Sequence, residues 1–236
     1  MFRISQYLRD LAQAERTGVY PAVRSARPGA TPGPVVIWNL IRRCNLTCKH
    51  CYALSADHEY AGELSTGEVL DVMADLKAFK VPVLILSGGE PLLRPDLFDI
   101  AARAKAMGFY VGLSTNGTLI DTAMADRVAA AQFDYVGISL DGIGAVHDRF
   151  RRLVGAYASS LAAVRHLLAR DVKVGLRYTM TQLNAEELAP LLKLMHEEGA
   201  QILLLDTPGY HRAKGPLNRF MVSEARSATS GRSIRT

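Results

Sequence analysis

The chain has 236 residues, 49% of them hydrophobic and 22% charged, with 19 Gly and 10 Pro, a composition that excludes disorder and collagen-like repeats. That length can bury one large α/β core or two small ones without disulfides or a structural metal, so any metal is expected to serve chemistry. The formal charge of +5 sits at the ends, with 7 basic and 2 acidic residues in 1–43, 6 and 2 in 206–236, and 15 and 19 in 44–205; no basic face for nucleic acid is expected.

Taken in order, residues 1–33 predict an amphipathic leader helix followed by a Pro/Gly linker, PGATPGP at 28–34. No apolar run approaches the roughly 18 residues of a membrane span, and Arg3, Arg9, Asp10 and Glu15 interrupt the opening segment where a signal peptide needs an apolar centre. A cytoplasmic protein without a membrane partner is expected. VVIWNLI (35–41) reads as the first core strand. A helix from Ser65 to Lys80 follows, capped by Ser65 or Thr66 with Glu68 as capping-box partner, and Val69, Leu70, Met73, Leu76 and Phe79 share one face. Strands then recur at 82–87, 109–114, 135–140, 172–180 and 201–206, separated by helical periods over 95–107, 121–131, 155–170 and 184–198. Near-continuous apolar strands alternating with helices predict a parallel sheet with right-handed crossovers. The expected fold class is therefore α/β, a partial (β/α)6 TIM-like barrel with parallel strands over residues 34–206. Residues 207–236 lose all periodicity and read as an irregular tail, aberrant or truncated.

Polar and Gly-rich residues gather at the carboxyl ends of the strands, where parallel α/β folds bind ligands. The three cysteines of the chain, Cys44, Cys48 and Cys51, lie within eight residues in CNLTCKHC, just after the first strand. Their odd number argues against a disulfide framework and points to a metal or cluster. Three thiolates on a four-iron cubane leave one iron open to a substrate or cofactor. A zinc site completed by His50 has the right ligand types, although His50 adjoins Cys51 and strains tetrahedral closure. Buried structural cysteines fit less well beside the polar Arg43, Asn45 and Lys49.

The cysteine loop, the aromatic Tyr52 after it and LSGGEPLL at the end of the second strand together resemble the radical S-adenosylmethionine superfamily. The resemblance implies a 4Fe-4S cluster on Cys44, Cys48 and Cys51. Its open iron chelates S-adenosyl-L-methionine, and an external one-electron reductant triggers cleavage to a 5′-deoxyadenosyl radical. It further implies that Gly88 and Gly89 let the backbone approach the methionine end of the cofactor while Glu90 binds its ammonium group. A plain βα turn explains the same three residues without a ligand. Ser114, Asn116, Ser139 and Asp141 match positions that contact the ribose or carboxylate of the cofactor, and Arg177 matches a carboxylate partner, against capping and turn roles. HDRFRRL (147–153) resembles the HD-x-x-R segment of relatives with a C-terminal auxiliary cluster, and Arg149, Arg151 and Arg152 are candidates to clamp substrate carboxylates, or else a solvated helix start.

Over roughly 34–205 the residues between the motifs resemble the haem d1 biosynthesis branch and its relatives in alternative haem synthesis. That implies a tetrapyrrole substrate, didecarboxysirohaem, and radical removal of two propionate side chains. Peptide-modifying enzymes of the pyrroloquinoline-quinone or sulfatase-maturation type share these motifs, and a non-catalytic zinc- or cluster-binding protein is the alternative of another class. No cysteine follows Cys51, so an auxiliary cluster is expected to be missing from this polypeptide, and cofactor cleavage is expected to run uncoupled from substrate turnover.

Overall fold

In the computed structural model, which describes residues 2–3, 16, 33–200 and 202–206, six parallel strands form one sheet. They are β2 (Val35–Asn39), β3 (Val83–Ser87), β4 (Tyr110–Thr115), β5 (Tyr135–Ser139), β6 (Val174–Thr179) and β7 (Ile202–Asp206). A further strand, β1 (Phe2–Arg3), pairs antiparallel with the outer edge of β7. The order β1-β7-β6-β5-β4-β3-β2 is consecutive among the parallel strands, so each crossover moves the chain one place along the sheet, as right-handed βα units do. β2 forms the other edge, and Val35 and Ile37 on it are exposed.

The crossover helices are α1 (Thr66–Ala78), α2 (Leu97–Ala106), α3 (Thr122–Ala130), the short α4 (Ala145–Arg151), α5 (Ala156–Leu168) and α6 (Leu188–Glu197). α1 starts where its residues dictate: Ser65 Oγ accepts from the Glu68 N–H, and Glu68 Oε2 accepts from the Ser65 N–H at 2.8 Å. Val69 and Met73 are buried, and Leu70 and Leu76 pack against the core. Phe79, predicted on the same face, is 74% exposed because the helix has ended and Phe79 is its C-cap. α3 is capped by Asp121 Oδ1, which accepts from the Met124 N–H at 2.8 Å.

Two elements, the strand β1 and the helix α4, go beyond the sequence reading. The leader segment reads as a helix; Arg16, the one described residue between 3 and 33, is helical and exposed, whereas Phe2–Arg3 is a strand too short to carry a period. That strand covers two residues of the β7 edge, which the sequence leaves bare. α4 is an additional helix on the connection between β5 and α5, where HDRFRR reads only as a helix start. The tail at 207–236 lies outside the described residues. Among the described residues no helix is long and apolar enough to cross a membrane.

Buried Leu84, Leu86, Val111, Leu113, Val136, Ile138, Val174 and Leu176 come from the strands and belong to one core with Val69, Ile100, Val128 and Leu167 from the helices. With helices closing the apolar sheet, the carboxyl ends of β2–β6 remain to build a site.

Candidate functional site

Ser87 at the end of β3 is followed by Gly88 and Gly89, and these glycines permit an unusually close backbone contact. Gly89 N–H donates to the Ile41 carbonyl at 2.7 Å, and Glu90 N–H to that of Arg43 at 2.9 Å. A Cβ on Gly89 would lie 2.3 Å from the Arg43 oxygen and 2.4 Å from that of Arg42. Only glycine lets the turn after β3 lie against the segment that leads from β2 into Cys44. The cysteine loop is thus rooted on the neighbouring strand end, a task for these glycines that the sequence reading lacks.

The loop closes on itself through the Cys51 N–H to the Cys48 carbonyl, 3.2 Å, and on Ala56, whose carbonyl accepts from the Cys44 N–H at 3.1 Å. Cys44 is buried and Cys48 and Cys51 are half-buried, and all three line one cavity of about 420 Å³, a size typical of ligand sites. Each sulfur faces N–H donors. Leu46 N–H donates to Cys44 Sγ at 3.4 Å, Ser55 N–H to Cys51 Sγ at 3.4 Å, and Arg151 Nη1 to Cys48 Sγ at 3.5 Å. Asn116 Nδ2 lies 3.9 Å from Cys44 Sγ. Such donors suit metal-bound thiolates, which carry charge that thiols do not. Burial pushes the Cys44 thiol up to about 12 and also raises Cys48, against which Arg151 pulls the other way. A metal is the partner that would draw the protons off. Among the described residues no three His, Cys, Asp or Glu side chains converge as around a single ion.

The same cavity is lined by Tyr52, Gly88, Gly89, Ser114, Asn116, Ser139 and Arg177, which the sequence singles out, by His50, which it names only for a zinc site, and by Asn39, Ser87, Thr115 and Thr179, which it does not single out. Asn39 Nδ2 donates to Tyr52 Oη at 2.6 Å. Arg177 on β6 reaches across β5 and donates through Nη1 to Ser114 Oγ on β4. Gly137, the β5 residue beside Ser114, makes this crossing possible, because a Cβ there would lie 2.8 Å from Arg177 Cδ.

Two expected cofactor ligands lie beneath the cavity rather than in its wall. Glu90 is fully buried, with Oε1 accepting from the Leu92 N–H at 3.1 Å and Thr115 Oγ1 at 2.7 Å, and Oε2 from the Asn116 N–H at 2.8 Å. Burial raises its pKa, and those three donors oppose the rise. Its carboxylate ties the Leu92, Thr115 and Asn116 donors together at the β4 end and is not among the groups lining the cavity. Asp141 is also fully buried; Oδ1 accepts from the Thr179 N–H at 2.9 Å, and Oδ2 pairs with Arg151 Nη2 at 2.5 Å and lies 3.9 Å from His50 Nε2. Burial works against its charge, but Arg151, His50 and the Thr179 N–H together hold the carboxyl below the usual carboxylate range.

The arginine cluster separates. Arg151 is 7% exposed and lines the cavity, whereas Arg149 and Arg152 are exposed and stand outside its wall. The inward one, Arg151, is already paired with Asp141. Within α4, Arg149 and Arg151 are two residues apart and so point to different sides of the helix, while Arg152 follows the helix as its C-cap in a left-handed conformation.

Known proteins resemble this chain in ways that agree with the geometry. The sequence profile of the family described as the Radical SAM superfamily matches residues 38–195. The chain is 51% identical over 219 residues to the pre-heme d1 synthase of Dinoroseobacter shibae, covering 93% of this chain and 52% of that protein. It is 44% identical over 165 residues to the Fe-coproporphyrin III synthase of Methanosarcina barkeri, covering 70% and 41%. The chain thus spans about half the length of the curated relatives it matches. Among solved structures, Streptococcus suis SuiB bound to S-adenosylmethionine superposes with a TM-score of 0.66 over 89% of this chain and 46% of that one, at 14% identity, a likeness of fold alone.

Proposed function

The chain belongs to the radical SAM superfamily, and from that premise we propose that it binds a 4Fe-4S cluster on Cys44, Cys48 and Cys51 and acts with S-adenosyl-L-methionine on a carboxylate-rich tetrapyrrole of the haem d1 branch, didecarboxysirohaem. The observation that carries the reading is the set of three thiols lining one cavity at the strand ends, each sulfur supplied with N–H donors. When bound together, cluster and cofactor supply a 5′-deoxyadenosyl radical able to abstract hydrogen from an unactivated carbon.

The residues of the chain hold and enclose that chemistry. Leu46, Ser55 and Arg151 direct N–H groups at the cysteine sulfurs, which stabilises thiolate over thiol. Glu90 locks the backbone of Asn116, whose side chain lies beside Cys44 and bonds Asn45 Oδ1 at 3.0 Å. Arg177 and Ser114 bring a cation and a hydroxyl to the cavity wall, a pairing suited to the carboxylate of an amino-acid moiety. Tyr52, Gly88, Gly89, Asn116 and Ser139 complete the surface that would meet the cofactor. The substrate assignment draws on the 51% identity to a pre-heme d1 synthase. A cytoplasmic location belongs to the same reading, since reduced thiols and a low-potential electron donor are needed.

The test is an anaerobic incubation of the reconstituted chain with dithionite, S-adenosylmethionine and didecarboxysirohaem, followed by mass spectrometry. A cofactor-dependent loss of mass from the tetrapyrrole that matches removal of its propionate side chains is the expected result. Formation of 5′-deoxyadenosine with the tetrapyrrole recovered unchanged would remove didecarboxysirohaem as the substrate while leaving the radical chemistry standing.

A further inference from the structure

The segment HDRFR (147–151) spends its side chains and backbone on the cysteine loop and the elements around it. His147 Nδ1 accepts from the Asp141 N–H at 3.0 Å, and Asp148 caps α5 by accepting from the N–H groups of Gly155 at 2.7 Å and Tyr157 at 2.8 Å. The Phe150 carbonyl accepts from the Lys49 N–H at 3.0 Å, inside the cysteine loop, and its ring lies 4.7 Å from that of His50. Arg151 ends the helix with Nη1 at 3.5 Å from Cys48 Sγ and Nη2 at 2.5 Å from Asp141 Oδ2. The segment therefore grips the loop at a backbone amide and at a ligand sulfur, both from α4.

A guanidinium held by a carboxylate on one side has its other N–H groups aimed in a fixed direction. Here that direction is the Cys48 sulfur, and Arg151 and Asp141 are both buried, so the charge acts through protein and not through water. A donor and a positive charge next to a cluster thiolate favour the reduced, more negative cluster, whereas a nearby carboxylate opposes it. We propose that Arg151, oriented by Asp141, is a positioning residue that raises the reduction potential of the cluster held by Cys48, and is not a substrate ligand. The inference rests on reading the three cysteines as cluster ligands. In the step it affects, the cluster gains one electron and the external reductant loses one; no bond to Arg151 forms or breaks.

The experiment is a dithionite redox titration of the full chain, reconstituted anaerobically and followed by electron paramagnetic resonance, with iron and sulfide counted beforehand. Arg151→Met should make reduction about tenfold less favourable, a shift of about 59 mV to lower potential for one electron. Asp141→Asn leaves the guanidinium without its counter-charge and should move the potential the other way. Arg151→Lys, which keeps the charge, should load its cluster and shift less than the Met variant. The inference is overturned by an unchanged potential in a fully loaded Arg151→Met protein, or by Met and Asn variants that shift in the same direction. If Arg151→Met takes up no cluster, the Lys variant decides: loading with a potential near that of the parent supports the role of charge, and failure to load shows that Arg151 only maintains the fold. A parent chain that assembles no iron–sulfur cluster would overturn the cluster reading itself.

Discussion

At the scale of single residues, the site separates groups that face the cavity from groups that hold those in place, and Glu90 belongs to the second kind. Its two oxygens take three donors from Leu92, Thr115 and Asn116, so Glu90→Gln would turn an amide N–H₂ toward at least one N–H or O–H donor. Breaking a buried hydrogen bond of this type costs about 1–3 kcal/mol. The variant should therefore unfold at lower urea concentration and also bind S-adenosylmethionine about tenfold more weakly, by calorimetry, as Asn116 shifts. Weaker binding with an unchanged unfolding midpoint would contradict this and return the carboxylate to the cofactor. The sequence identifies Glu90 as important through its place in LSGGEPLL. It cannot identify its partners, because two of them, Thr115 and Asn116, are 25 and 26 residues away, at and just past the end of the next strand. The same limit applies to Asp141, whose acidic side chain reads as a ligand until the buried Arg151 is found paired with it. Cys44, Cys48 and Cys51 stand out in the sequence because ligand type and close spacing are themselves the signal, and all three line the one cavity.

At the scale of elements, the strand-and-helix alternation carried most of the fold, since long apolar periods survive in one dimension. Short elements did not: α4 and the two-residue β1 carry too few residues for a period. The contact between the turn after β3 and the residues preceding Cys44 was equally invisible, being a backbone-to-backbone approach that only the glycines hint at. It yields a prediction at this scale. Gly89→Ala places a methyl 2.3 Å from the Arg43 carbonyl oxygen, which neither backbone can accommodate without moving. The purified variant should retain its far-ultraviolet circular dichroism yet hold less than half the iron of the parent after reconstitution. Parent-like iron content would show that the cysteine loop does not depend on this contact.

At the scale of the whole molecule, stability against acid is set in part by buried groups around the β5 end. Burial and the neighbouring Arg151 lower His147 to about 4 from its ordinary 6.5, outweighing the pull of Asp141 and Asp148. It is neutral in the native state, and Nδ1 accepts the Asp141 N–H. The unfolded chain takes up this proton near pH 6.5 and the folded chain only near pH 4, so the unfolded state binds more protons between those values. Stability is complete above pH 6.5 and falls as the pH drops through the window, by about 3 kcal/mol in all. His147→Asn, which keeps an acceptor but cannot titrate there, should flatten the dependence of the urea midpoint between pH 7 and pH 4.5. An equally steep loss in the variant would assign the effect to other groups. Asp141 contributes separately and with the sign of a carboxylate held low: its pairing with Arg151 is present above the ordinary carboxylate range and is lost only as the pH falls below it.

The central claim, that the three cysteines hold the cluster which cleaves S-adenosylmethionine, is tested most directly by 5′-deoxyadenosine formation in parallel anaerobic, dithionite-reduced samples of the parent chain and Cys48→Ala. Cys48 is the decisive position because its sulfur lines the cavity and receives the Arg151 donor, while its replacement leaves two thiolates and no means of holding three irons. The account predicts 5′-deoxyadenosine from the parent and none above background from Cys48→Ala. Production by the variant at the parent rate would contradict it.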